Sequence, residues 1–118
     1  MARSKACLFA SDYQLGSRLN LATAHPARMI MMGRLVRGGG ISYLELIAEI
    51  PLAESSIADH LRIMTREGFL LDAVLSDGRT GYMLNHSLYQ ACTEARRRIL
   101  WGQTSVLCLH RTELGVTV

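Results

Sequence analysis

The chain has 118 residues, a mass of 13.1 kDa, 49% apolar residues, a formal net charge of +3 and a pI near 9.0. That size suits a single domain, 1–118, with a modest core, and the apolar fraction excludes a disordered polymer. No run approaches the about 18 apolar residues of a membrane-spanning helix. The short apolar run 6–10 is too brief for a signal-peptide core, so secretion is not expected. The three cysteines, Cys7, Cys92 and Cys108, form no close pair. They suit reduced thiols in a cytoplasm better than a disulfide framework. The mild basic balance is compatible with nucleic acid without requiring it.

In chain order, residues 12–22 read as a helix capped by Asp12, with Leu15, Leu19 and Ala22 on one face. Pro26 suits the first turn of a second helix over 26–37. Its expected inner residues are Met29, Ile30, Met32, Leu35 and Val36, with Arg28, Arg34 and Arg37 outward. Gly33 within it would mark a close helix crossing, and the glycines 38–40 end it. Ser42 and Glu45 have the spacing of a capping box for a short helix with inner residues Leu44, Ile47 and Ala48. After a turn at Pro51 and Leu52, a helix over 54–67 places Ile57, Leu61 and Met64 in one narrow stripe, at 100° per residue. Ser55, Asp59, Arg62 and Arg66 fall on its opposite side, and Gly68 supplies a left-handed stop. Residues 69–75 and 80–84 read as two strands about an Asp77-Gly78 turn. A last helix over 87–101 turns Leu88, Ala91, Cys92, Ala95, Ile99 and Leu100 to its apolar side, and the tail after Gly102 has no assigned fold.

Helix, turn, helix and hairpin in that order describe a mostly α fold with a small β-hairpin: a winged helix-turn-helix. The helix-turn-helix spans about 42–67 and the wing about 69–84. Its second helix enters the DNA major groove, where small polar side chains allow close approach. Ser55 and Ser56 meet that need, Arg62 reaches base or phosphate, and Arg79 at the wing tip suits a minor-groove or phosphate contact. Glu54 and Asp59 oppose phosphate. Glu54 reads as an acid that stabilises a helix N-terminus, whereas Asp59 either selects a base or weakens binding. Arg28 either anchors the start of its helix or touches phosphate. His60 is expected to pack within the helix-turn-helix.

Two blocks carry a family resemblance. ATAHPAR at 22–28, followed by a Met/Ile-rich helix, and PLAESSIADHL at 51–61 resemble the corresponding segments of ArsR-type repressors, the arsenical-resistance and metal-sensing regulators. Gly68-Phe69-Leu70 and the segment GYMLN at 81–85 resemble the close of the recognition segment and the end of the wing. The resemblance covers about residues 20–90. It implies a homodimer joined by the first and last helices, binding double-stranded DNA at an operator inverted repeat and repressing until a ligand intervenes.

The chain departs from that pattern at several places. Ala58 replaces the family's serine and Asp59 its usual Gln or Arg. Ile41 and Tyr43 stand where many members carry a soft-metal Cys-x-Cys pair, so no metal site is expected there. Asn85-His86, with no further histidine until His110, does not reproduce the family's zinc ligands. Cys7 with Cys108 is an alternative thiol or metal sensor, and Cys92 reads as a core thiol. No cofactor motif or catalytic constellation appears; the glycines 38–40 lack the Lys-Ser/Thr of a phosphate loop. The expected function is therefore a non-enzymatic, cytoplasmic DNA-binding regulator with no identified effector. The alternative is a winged-helix module that binds protein.

Overall fold

The computed structural model describes residues 9–104, which form two compact units: 9–19 with 90–104, and Asn20–Tyr89. Cys7, Cys108, His110 and the tail after Thr104 lie outside the described residues. The elements in order are α1 (Ser11–Ala22), α2 (Pro26–Val36), β1 (Ile41–Ser42), α3 (Tyr43–Glu49), α4 (Glu54–Arg66), β2 (Leu70–Val74), β3 (Thr80–Leu84) and α5 (His86–Leu100). The described residues are thus mostly helical, with a three-stranded antiparallel sheet ordered β1-β3-β2.

In the first unit, the N-terminal part of α1 meets the C-terminal part of α5. Gly16 is buried, and a Cβ there would stand 3.2 Å from Ile99 Cδ1 and 3.4 Å from Arg96 Cγ. Cys92 and Ala95 are buried, whereas Leu100 is exposed, contrary to its expected apolar side. Burial also pushes the Cys92 thiol pKa up, which disfavours the nucleophilic thiolate. Asp12 does not cap α1. It lies inside the first turn and accepts Arg98 Nη2 and Nε at 2.8 and 2.9 Å, with Thr104 Oγ1 donating at 2.7 Å. These hydrogen bonds, Arg98's first, hold the Asp12 carboxyl at about 2.

The second unit contains the winged helix-turn-helix. Its core includes Met31, Met32, Leu35, Leu46, Ile50, Ile57, Leu61, Met64, Phe69 and Leu84. Ser42 caps α3 by accepting Glu45 N–H at 3.2 Å, and its own hydroxyl donates to Glu45 Oε1. This realises the Ser42–Glu45 spacing. The inner face of α3 differs from expectation: Leu46 is buried while Leu44 is 62% exposed. Seven residues make barely two turns, and β1 sets their rotation. Ile41 pairs with Tyr82 and Ser42 with Gly81. A Cβ at Gly81 would collide with the Ile41 carbonyl oxygen and stand 2.9 Å from Ser42 Cα. Glycine is therefore what allows β1 to lie on β3.

The α2 face is rotated from the expected one. Ala27, Arg28, Met31, Met32 and Leu35 are buried, whereas Met29, Ile30 and Val36 are exposed. Among the described residues nothing lies within 4 Å of a Cβ built on Gly33, so no close helix crossing explains that glycine. By contrast, Ile57, Leu61 and Met64 form the buried stripe of α4, as the 3.6-residue period requires. The helix ends in a Schellman motif: Phe69 N–H donates to Met64 O and Gly68 N–H to Thr65 O, both at 3.0 Å, with Gly68 at φ 87°. Asn85 closes the unit by donating Nδ2 to Gly68 O and accepting Leu88 N–H at the start of α5.

The Asp12 pair generates a pH dependence of defined sign. The folded pKa lies below the 3.8 of an unpaired carboxyl, so its stabilisation is complete above about pH 4 and is lost as pH falls through about 2. Asp12→Asn is expected to cost about 1 kcal/mol near neutral pH in urea denaturation, a partly exposed ion pair being worth no more. The difference from wild type should shrink between about pH 4 and the acid limit.

Candidate nucleic-acid interface

The block His25-Pro26-Ala27-Arg28 positions α4 from behind. His25 caps α2, its Nδ1 accepting Ala27 N–H at 3.0 Å, and Pro26 takes the first helical position. Arg28, only 7% exposed, turns back toward the end of α1. Its Nε donates to Ala22 O at 3.2 Å and its Nη2 to Leu21 O at 3.3 Å. Its Nη1 lies 2.9 Å from His60 Nδ1, on the inner flank of α4. A guanidinium only donates, so His60 Nδ1 is the acceptor and the ring is the neutral tautomer protonated on Nε2. Burial, then the neighbouring His25 and Arg28, lower the His60 pKa and favour that neutral form. The His25 and His60 ring centroids lie 4.2 Å apart, the rings tilted by 38°. Arg28 therefore anchors the helix start and has no free face for phosphate, which settles the alternative its sequence position left open.

The opposite side of α4 carries the residues singled out from sequence. Ser55, Asp59, Arg62 and Arg66 are all exposed, and Ser56 is half-buried, turned off that face. No side chain caps α4, whose N-cap is Ala53, and Glu54 in the first turn accepts Tyr43 Oη at 3.3 Å. Asp59 and Arg62 are joined in an i, i+3 ion pair, the side chains 67% and 71% exposed. At the wing tip Asp77 accepts both the backbone N–H of Arg79, at 3.0 Å, and its Nε, at 2.7 Å. Those hydrogen bonds lower the Asp77 pKa and raise that of Arg79. Asp77 thereby shapes the turn in which Gly78 takes φ 85°. The structure thus gives both candidate contact arginines an aspartate partner, a pairing the sequence analysis anticipates for neither.

A cleft of about 420 Å³ separates α4 from the hairpin. Arg62, Thr65 and Arg66 of α4 line it together with Asp72 and Tyr82 of the hairpin and Tyr43 of α3. Arg66 also pairs with Glu67 at 3.6 Å. Burial, then Asp72, raises the Tyr82 pKa, so its phenol remains a hydrogen-bond donor at neutral pH. Sequence alone does not single out Thr65 and Tyr82, or Tyr43 as a cleft residue, because the cleft exists only once the β2–β3 hairpin folds back beside α4. The i, i+3 spacing of Asp59 and Arg62 was the available signal for their pairing.

Fold and surface together define a winged helix-turn-helix with a polar, outward-facing second helix. Solved structures of ArsR-family regulators share this fold. An ArsR family transcriptional regulator is similar at 21% identity, over 89% of this chain and 100% of that chain, with a TM-score of 0.58. An ArsR-like transcriptional regulator from Rhodococcus sp. RHA1 is similar at 17% identity, over 78% of this chain and 83% of that chain, with a TM-score of 0.62. No protein-family model matches the chain, and no curated protein matches it.

Arg28→Ala removes the donor for two carbonyls and one imidazole nitrogen at a buried position. It is expected to lower unfolding free energy by about 2–4 kcal/mol in urea titration, and Arg28→Lys by less. Arg28→Ala unfolding at the wild-type midpoint would contradict the anchoring role.

Proposed function

We propose that the chain is an ArsR-type transcriptional regulator: a cytoplasmic, non-catalytic homodimeric repressor of an operator inverted repeat. In this reading α4 enters the major groove, Ser55, Ser56, Asp59 and Arg62 contact it, and Arg79 meets backbone or minor groove. The observation that carries it is the division of α4. Its stripe Ile57, Leu61 and Met64 is buried while Ser55, Asp59, Arg62 and Arg66 face outward beside a hairpin. That is the presentation a recognition helix requires. Like the family resemblance, the shared fold favours the same assignment, and the dimer would place two such helices on the two half-sites. The cleft between α4 and the hairpin, with Thr65, Arg66 and Tyr82, offers donors for the phosphate strand passing between the two grooves. The protein-binding alternative draws on Asp59 and Asp77, which offset two of the exposed arginines.

Binding of the full chain to a duplex from its own upstream region, followed by fluorescence anisotropy, separates the two. Affinity is expected to fall about 100-fold between roughly 50 and 200 mM salt, the slope of about four phosphate contacts. Arg62→Ala should weaken binding about tenfold or more with its melting curve unchanged. Failure of the wild-type chain to bind any duplex at about 50 mM salt would contradict the regulator reading.

A further inference from the structure

We propose that Asp59 and Arg62 act as one unit that reads a G·C base pair, with Asp59 holding the guanidinium and supplying the pair's acceptor. The proposal rests on the DNA-binding reading above and deepens it.

The ion pair is at the solvent-facing side of α4, and both side chains are more than half exposed. A pair so exposed adds little to fold stability, because water screens it. Its consequence lies at the surface itself. Only Arg62 Nη1 engages Asp59, through Oδ1. Among the described residues the Nε–Nη2 edge of Arg62 has no partner, so a parallel two-donor edge is left free. That edge matches a pair of adjacent acceptors.

Two DNA surfaces offer such acceptors, and Asp59 distinguishes them. Against a phosphate, the approach of Arg62 would bring the Asp59 carboxylate, one turn away on the same face, against a second anion. Against the major-groove edge of G·C, guanine N7 and O6 accept from the guanidinium while cytosine N4 donates, and a carboxylate is its natural acceptor. The order acceptor, acceptor, donor on the base pair meets donor, donor, acceptor on the protein. An A·T pair presents acceptor, donor, acceptor and a methyl group. It would set N6–H against the guanidinium or O4 against the carboxylate. The wing pair differs in chemistry: Asp77 occupies the Nε side of Arg79 and also holds the turn, so it tunes charge without offering the same edge.

The test is selection of duplexes from a randomised pool by the full chain, then affinities for the selected site with its G·C pair changed to A·T. Wild type is expected to select a G·C pair in each half-site and to lose about 10-fold or more on the change. Asp59→Ala should raise affinity for unrelated duplexes and reduce that discrimination to about threefold or less. Arg62→Lys, which keeps the charge and loses the two-donor edge, should also flatten it. Asp77→Asn removes the same charge elsewhere, and should raise affinity for all duplexes alike with discrimination intact. Both aspartates are exposed, and thermal melts matching wild type would show that the fold is unaffected. Wild-type selectivity that survives Asp59→Ala, or an Asp59→Ala profile equal to that of Asp77→Asn, overturns the proposal while leaving DNA reading standing. A wild-type chain that binds duplexes with no G·C preference also overturns it. A chain that binds no duplex removes the DNA-binding reading and this proposal together.

Discussion

The interaction on which the second unit depends is the buried guanidinium of Arg28. Among the described residues this cation has no carboxylate partner; its acceptors are Ala22 O, Leu21 O and His60 Nδ1. The two carbonyls stand at the C-terminal end of α1, where the helix dipole is negative and the last carbonyls lack intrahelical donors. One side chain thus caps the end of α1, where Leu21 O also accepts Ala24 N–H, takes its charge compensation from a helix terminus, and ties α2 to both α1 and α4. Because His60 belongs to α4, this tie also sets the rotation of that helix, and the stripe Ile57, Leu61 and Met64 reinforces it from the core. The outward direction of Ser55, Asp59, Arg62 and Arg66 follows from these inner contacts.

The outer surface then obeys different physics. Arginines there would attract any polyanion, yet Arg62 and Arg79 each share their charge with an aspartate and Arg66 lies beside Glu67. Such pairing reduces general attraction to phosphate and leaves the geometry of individual donor edges to decide what is bound. The modest net charge of +3 belongs to the same design. A surface of this kind favours selectivity over tight non-specific association.

The parts of the fold legible in the sequence were those set by local periodicity and turn chemistry. The α4 stripe, the Gly68 stop, the Asp77-Gly78 turn and the Ser42–Glu45 cap need only nearby residues, and each occurs as read. The α2 face was misread because hydropathy places an arginine outside and methionines inside. Arg28 is drawn inward by the carbonyls that end α1 and by His60, 32 residues on, leaving Met29 and Ile30 exposed. Sequence alone makes Asp12 a cap because its partner, Arg98, stands 86 residues away. The two-residue β1 carries no periodic signal, and only the close passage at Gly81 accounts for it. At the site, Ser55, Asp59 and Arg62 were placed on the outer face by angle alone. Ser56 lies about a quarter-turn off that face, and the aspartate partner of Arg79 emerged only from the folded turn.

The central claim is that α4, held from behind by Arg28, presents its outer face and the hairpin to duplex DNA. The most direct measurement is amide chemical-shift mapping of the isotopically labelled full chain titrated with its selected duplex at low salt. The account predicts that the largest shifts fall at Ser55, Asp59 and Arg62 and around Arg79 at the hairpin tip. Amides of the α2 residues Met31 and Leu35 should move little. Shifts centred on α2, or none on α4 while the duplex is bound, would contradict it.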